Sequence, residues 1–374
     1  MLTWLHFGDL HASHEDGWKS LSDLHSLVED TNRYMAWGVD FAFLPGDNAN
    51  HGEPEQYRRI RSVLDALEPR LLAIPGDHDF EPKSLDNFYT GLETPKLPLS
   101  MMVKGHRCLF LDIISPGSGG PDFKLGNQQI RWLEAELRQS ANDLERPAVF
   151  MHAFPSDLSE GGDELAEMFA RYSVASVDTG HTHYNELLND GGTIYTATRS
   201  TGQIEEGPVG FSVHAIDGSA VSWRFKSLDQ NWPFVLITSP ADRRVVTDRT
   251  AGDQCPQTSF PVNAKVFGAN IQRVEVMTDD QPARPMQRVK GSVGLWTADL
   301  VNISRGQRRL SVRAFDASGS QDTDCIEINV GLEGKATRTL KSHPGDHIHS
   351  VGAWEEKGFL GTQLGPNKNG TIKW

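Results

Sequence analysis

From Leu2 to about Gln230, short apolar runs alternate with stretches of helical period, and a chain meets that alternation by layering helices against a sheet. The runs Leu2 to Phe7, Phe41 to Leu44, Leu71 to Ile74, Cys108 to Ile113, Ala148 to Met151, Ser173 to Val177 and Thr193 to Thr198 read as strands. Between the first two, Leu21, Leu24, Leu27, Val28 and Met35 share one helical face, and Gly38 supplies the stop. After the second, Pro54 opens a helix with Tyr57, Ile60, Val63, Leu64 and Leu67 as its apolar stripe, and Pro69 ends it. Val209 to Ile216 and Ala220 to Lys226 flank Asp217-Gly218, the signal of a hairpin that closes a sheet.

Beyond Trp232 the helical period vanishes. Gly294 to Leu300, Ile271 to Met277, Leu310 to Phe315 and Asp324 to Val330 are short segments divided by Gly, Asp and Ser turns. Residues 231–331 therefore read as a small all-β domain, most simply an immunoglobulin-like sandwich, after an α/β domain over 1–230. Residues 332–374, with Trp354, Phe359 and Trp374 among Gly, Lys and His, read as a tail that packs back on the body.

Charge divides along the same boundary. Residues 1–230 hold 18 Lys and Arg against 35 Asp and Glu, a net of −17, whereas the remainder is +3. Such a field repels polyanions and disfavours a general DNA or RNA binder. A mean hydropathy of −0.44 with 23% charged residues excludes a membrane protein and a disordered chain. Three dispersed cysteines, Cys108, Cys255 and Cys325, are too few for a disulfide framework. The opening residues lack a basic n-region and a long apolar h-region, so a cytoplasmic location with free thiols is the expectation.

Five segments place metal-ligand residue types directly after expected strands, where an α/β sheet presents its binding loops. Asp9-Leu10-His11 follows the first strand, and residues two apart in extended chain point the same way, so carboxylate and imidazole can converge. Gly46-Asp47 follows the second run, and Gly76-Asp77-His78-Asp79 follows the third. His152 ends the run from Ala148, and Gly180-His181-Thr182-His183 follows Ser173 to Thr179. A lone Asp-x-His is usually a surface turn, but five such segments in one order are hard to reach by accident. Mixed imidazole and carboxylate donors suit manganese, iron or zinc, whereas calcium takes oxygen alone.

In this arrangement, Asp-x-His, Gly-Asp, Gly-Asp-His-Asp, His and Gly-His-x-His, the chain resembles the calcineurin-like metallophosphoesterase family from about Leu2 to Lys226. The stretch GDNANHGEPEQYRRI further resembles the branch of cyclic-nucleotide and glycerophosphodiester phosphodiesterases. The resemblance implies a four-layer α/β/β/α sandwich and a dinuclear centre. Asp9, His11 and His183 would hold one ion, Asp77, His152 and His181 the other, and Asp47 would bridge them. Hydroxide between the ions would attack the phosphorus of a small phosphodiester, with His78 binding a phosphoryl oxygen or protonating the leaving group. One position departs from the pattern. The family normally carries Asn where this chain has Asp77, so three carboxylates and one hydroxide would cancel two divalent charges, and Asp77 is expected to tune metal choice without abolishing activity.

Asn48, His51 and Arg199 are further candidates for contact with substrate, each with an equally good reading as a solvated or ion-paired residue, Arg199 with Glu205 or Glu206. His14 is a weaker pocket candidate, and His343, His347 and His349 read as a solvated tail. Alternatives to a phosphodiesterase are a phosphomonoesterase, nucleotidase or nuclease of the same fold, and a scaffold that has lost its metals. The all-β domain is open to three roles: interaction module, surface for a homo-oligomer, or lid over the pocket.

Overall fold

The computed structural model describes residues 1–118, 122–204 and 207–332. The expected tail with its three histidines, and the acidic pair Glu205 and Glu206, lie outside the described residues. In chain order the first portion runs β1 (Leu2–Phe7), α1 (Lys19–Tyr34), β2 (Phe41–Leu44), α2 (Pro54–Leu64), β3 (Leu71–Ala73), α3 (Asp86–Leu92), β4 (Leu99–Val103) and β5 (His106–Phe110). It continues with α4 (Asn127–Ser140), β6 (Ala148–Phe150), α5 (Gly162–Arg171), β7 (Ser176–Thr179), β8 (Glu186–Asn189), β9 (Ile194–Ala197), β10 (Gly210–Asp217) and β11 (Ala220–Ser227).

Five of these strands form one sheet in the order β11-β10-β1-β2-β3, and six form a second in the order β4-β5-β6-β7-β9-β8. Within the first sheet β1, β2 and β3 are parallel, and within the second so are β5, β6, β7 and β9, so in each sheet the loops that follow these strands gather at one end. Side-chain alternation sorts the strands' residues into three apolar layers. Along β1, Leu5 and Phe7 pack with residues of α1, α2 and α3, whereas Leu2 and Trp4 face Phe110 and Phe150 of the second sheet. Val149 and Tyr195 turn the other way, toward Leu133 and Leu137 of α4 and Phe169 of α5. The result is helix, sheet, sheet, helix.

The second portion is all-β: β12 (Phe234–Ser239), β13 (Phe260–Phe267), β14 (Ile271–Thr278), β15 (Gln281–Pro285), β16 (Gln287–Arg288), β17 (Leu295–Leu300), β18 (Gly306–Asp316) and β19 (Gln321–Val330). Two four-stranded sheets, β12-β13-β17-β16 and β15-β14-β18-β19, share one apolar core that includes Val262, Val276, Leu310 and Ile328. Phe234, Leu236 and Phe267 leave that core and join the cluster beneath α1 and α2, while Arg224 Nη2 of β11 reaches Asp322 Oδ1 at 3.0 Å. Among the described residues no helix is long and apolar enough to cross a membrane.

Strand positions differ from the sequence reading where polar residues enter the sheets. The run Ser173 to Val177 becomes β7 three residues later, because Asp178 and Thr179 are themselves buried strand residues. The run Cys108 to Ile113 begins earlier, at His106, since β5 pairs with β4 through a tight turn at Lys104 and Gly105.

Candidate metal centre

The loops after β1, β2, β3, β6 and β7 carry the motif residues, and the two sheets bring them to one place. Four of these residues, His11, Asp47, His181 and His183, have φ of 41°, 48°, 66° and 60°, in the left-handed region that costs a side-chain-bearing residue about 1–2 kcal/mol. Neighbouring backbone holds them there: His11 N donates to Asp47 O at 2.8 Å, and Gly180 N to His152 O at 2.9 Å. The glycines are required for close approach. A Cβ on Gly46 would meet His152 Nδ1 at 2.3 Å, and one on Gly180 would meet Asp9 Oδ1 at 2.5 Å.

Seven side chains form two clusters, Asp9, His11, Asp47 and His183, and Asp47, Asp77, His152 and His181, with ligand atoms in each within 4.8 Å of one another. Asp47 is common to both: its Oδ2 lies 3.6 Å from His11 Nε2 and 3.6 Å from His152 Nε2. In the first cluster His11 Nε2 and His183 Nε2 are 3.0 Å apart, and in the second Asp77 Oδ1 lies 3.2 Å from His152 Nε2 and 3.7 Å from His181 Nδ1. These are separations of atoms that share a cation.

The donor set fits metal ions on three further grounds. His11 Nδ1 donates to Asn50 Oδ1 at 3.2 Å and His152 Nδ1 to Pro45 O at 2.9 Å, which leaves each Nε2 lone pair facing the cluster. Asp9 Oδ1 is buried without a hydrogen-bond partner among the described residues. Charge is also poorly resolved by the protein alone. Burial, helped by the Asp77 and Asp9 carboxylates, pushes Asp47 well above the usual carboxylate range against the pull of His152. Burial would lower His152, but the surrounding carboxylates outweigh it and raise the imidazole to about 10. Burial and then the neighbouring His152 bring His181 down to about 4. Cations placed between crowded carboxylates and neutral imidazoles relieve both.

His78 is half-buried beside the first cluster, its ring edge-on to His11 at 4.7 Å, and its Nδ1 donates to Asn50 O at 2.8 Å. His51 sits at the rim, with Nδ1 donating to Glu81 at 2.7 Å. Asn48 is fully buried, and its amide donates to Ile74 O and to Asp79. Arg199 is buried over the Phe225 ring at 4.2 Å, with Nη1 on Pro208 O at 3.2 Å, outside both clusters. His14 is exposed beside Trp18.

Two residues that hold the site were missed in the sequence. Asn50 accepts from His11 and from Gln203 Nε2 through one oxygen, and its carbonyl accepts from His78. Asp79 is a buried carboxylate that accepts from the backbone of Asn48, Ala49 and Gly76 and from Tyr57 Oη at 2.7 Å, tying the loops after β2 and β3 together. Position in the motif is the one signal for either, since Asn50 follows Asp47 by three and Asp79 follows Asp77 by two. A third cluster of ligand-type side chains, His6, Asp178 and His214, lies deeper between the sheets.

The family model described as calcineurin-like phosphoesterase matches residues 2–185. A glycerophosphodiester phosphodiesterase of Enterobacter lignolyticus is 31% identical over 159 residues, which cover 38% of this chain and 56% of that protein. A "Probable cyclic nucleotide phosphodiesterase" of Synechococcus sp. is 27% identical over 169 residues, 43% of this chain and 65% of that one. The chain thus spans between half and two thirds of these relatives' length. A dimetal phosphatase from Danio rerio superposes with a TM-score of 0.49 at 15% identity, over 62% of this chain and 98% of that one.

Proposed function

Through residues 2–185 the chain belongs to the calcineurin-like phosphoesterase family, and on that premise we propose that it is a metal-dependent hydrolase of small phosphodiesters. The observation that carries the reading is the pair of clusters sharing Asp47. We assign Asp9, His11 and His183 to one ion, Asp77, His152 and His181 to the other, and Asp47 to both. Two such cations supply Lewis acidity to a phosphate and acidify water near neutral pH.

The chain's own residues then position the rest. Asn50 fixes the His11 ring through Nδ1, and Pro45 fixes His152 likewise, so neither ring can turn from the pocket. His78 commits its Nδ1–H to Asn50 O, so as the imidazolium it would carry an Nε2–H that can bond a phosphoryl oxygen or pass to the departing alcohol. Glu15 and Glu81, at 3.4 and 2.7 Å from the two nitrogens of His51, make the rim acidic, which favours a substrate carrying one phosphate over a polyanion.

A diester is favoured by the relatives' descriptions as glycerophosphodiester and cyclic-nucleotide phosphodiesterases. Chelator-treated full chain, reloaded with manganese, is expected to cleave bis-(4-nitrophenyl) phosphate faster than 4-nitrophenyl phosphate. Cleavage of the monoester alone would make the protein a phosphomonoesterase, and no cleavage of either would end the enzymatic reading. We further read residues 231–331 as an immunoglobulin-like sandwich, on its two antiparallel sheets around one core. A homo-oligomer formed through it would show in the solution mass of the full chain.

A further inference from the structure

The layer between the two sheets is apolar, built from Trp4, Phe43, Phe110, Phe150 and their neighbours, yet it contains a fully buried carboxylate. Asp178 of β7 accepts from Trp4 Nε1 at 2.8 Å, His6 Nδ1 at 2.9 Å and Thr196 Oγ1 at 2.9 Å, with His214 Nε2 at 3.8 Å. Those partners come from β1 and β10 of the first sheet and β9 of the second. The arrangement lies directly behind the metal centre: His6 precedes Asp9 by three residues, and Asp178 precedes His181 by three.

Both clusters straddle this seam. The first takes Asp9, His11 and Asp47 from the first sheet and His183 from the second, and the other takes Asp47 and Asp77 from the first and His152 and His181 from the second. Metal–ligand distances tolerate about 0.2 Å, whereas apolar contact is non-directional and leaves packed faces free to slide by more. Directional bonds to one carboxylate restrict that freedom within the layer, beside those that the loops make across the same seam from His152 Nδ1 to Pro45 O and from His181 N to Asp9. We infer that Asp178 is a positioning residue, pinning the two sheets at the separation the paired clusters require.

A third ion here is the competing explanation, and the outer nitrogens argue against it. A ligating imidazole gives its second ring nitrogen to a hydrogen-bond partner, but His6 Nε2 and His214 Nδ1 have none among the described residues. Ser212 Oγ, 2.7 Å from His214 Nε2, already occupies the inner nitrogen of one ring.

The inference rests on the dinuclear reading and is tested by Asp178→Asn and the milder Thr196→Val in the full chain. Manganese titration of chelator-treated protein, followed by calorimetry and low-temperature electron paramagnetic resonance, is expected to give two ions and an exchange-coupled spectrum for wild type. In Asp178→Asn the second ion should bind on the order of tenfold more weakly and the spectrum should revert to isolated ions, with Thr196→Val shifted less in the same direction. Wild-type affinity and coupling in both variants would overturn the inference. So would a third bound ion that Asp178→Asn removes. Should wild type bind fewer than two ions, the dinuclear reading fails, and the pin is then judged on metal-free protein by amide exchange at 180–183 and 200–202, expected to quicken in the variants and, if unchanged, fatal to it. Should Asp178→Asn not fold, Thr196→Val alone decides.

Discussion

A carboxylate at position 77 brings a full negative charge to a place where the family normally carries a neutral amide. Burial opposes that charge, but the hydrogen bond with His152 and the nearby His181 and His78 hold the carboxyl below its usual range. A ligand that stays ionised strengthens the grip on a divalent ion, so Asp77→Asn is expected to weaken the second ion by about tenfold or more, no less than outer partners cost, and to change the ranking of manganese against zinc. Metal content and turnover in both metals check this, and unchanged values in both would dispose of the tuning role. Asn50 acts one step further out. Removing the acceptor of His11 Nδ1 in Asn50→Ala frees the ring to rotate, with an expected loss of about 10–100-fold in affinity for the first ion, while Asn50→Asp keeps the acceptor and should restore most of it. Equal affinity in the alanine variant, measured by titration, would show that packing alone orients the ring.

At the scale of elements, α2 is coupled to the loops after β2 and β3, which lie on either side of it in the chain. Tyr57, on the buried face of α2, donates to Asp79, the carboxylate that also gathers backbone donors from the loops after β2 and β3. Tyr57→Phe leaves the packing in place and removes one bond to a charged group, an expected loss of about 1.5–3 kcal/mol in unfolding free energy with metal stoichiometry unchanged. Denaturant titration with and without bound manganese reads both, and loss of metal with no loss of stability would contradict it. The helices α1 and α2 were legible in the sequence because their apolar residues face one cluster and their breakers stand at their ends, and the strands β1 and β2 because they are short, largely apolar runs buried on both faces. The half-exposed edge strand β4 and the strand β8, with Glu186 and Asn189 at its ends, escaped because neither carries an uninterrupted apolar run. β7 was read three residues early because its inward positions carry Ser176 and Asp178, polar groups that hydropathy places outside. The seven converging side chains stood out by residue type and order, whereas Asn50, Asp79 and the Pro45 carbonyl are ordinary groups whose importance exists only once the loops have met.

For the whole molecule, the seam between the α/β body and the all-β portion is a shared core with polar clasps. Phe234, Leu236 and Phe267 complete the apolar cluster under α1, and Lys265 Nζ donates to Gly38 O at 2.8 Å, at the turn beyond that helix. Lys226, at the end of β11, lies buried at the crossing point, its Nζ on Gln230 O at 2.7 Å and over the Trp232 ring at 4.6 Å. Burial lowers its pKa to about 8, against the help of Asp30 and Asp322. Below pH 8 both folded and unfolded chains keep this proton, and the residue adds no slope to stability. Between pH 8 and the ordinary lysine value near 10.5 the unfolded chain retains a proton that the folded one has lost, so this residue makes unfolding free energy rise with pH in that window. Lys226→Met removes the contribution. The stability difference between wild type and variant, taken from denaturant titrations at pH 7, 8, 9 and 10, should be constant up to pH 8 and then shift in favour of wild type. A difference that stays flat to pH 10 would mean that Lys226 holds its proton in the fold and that the seam tolerates a buried ammonium without strain.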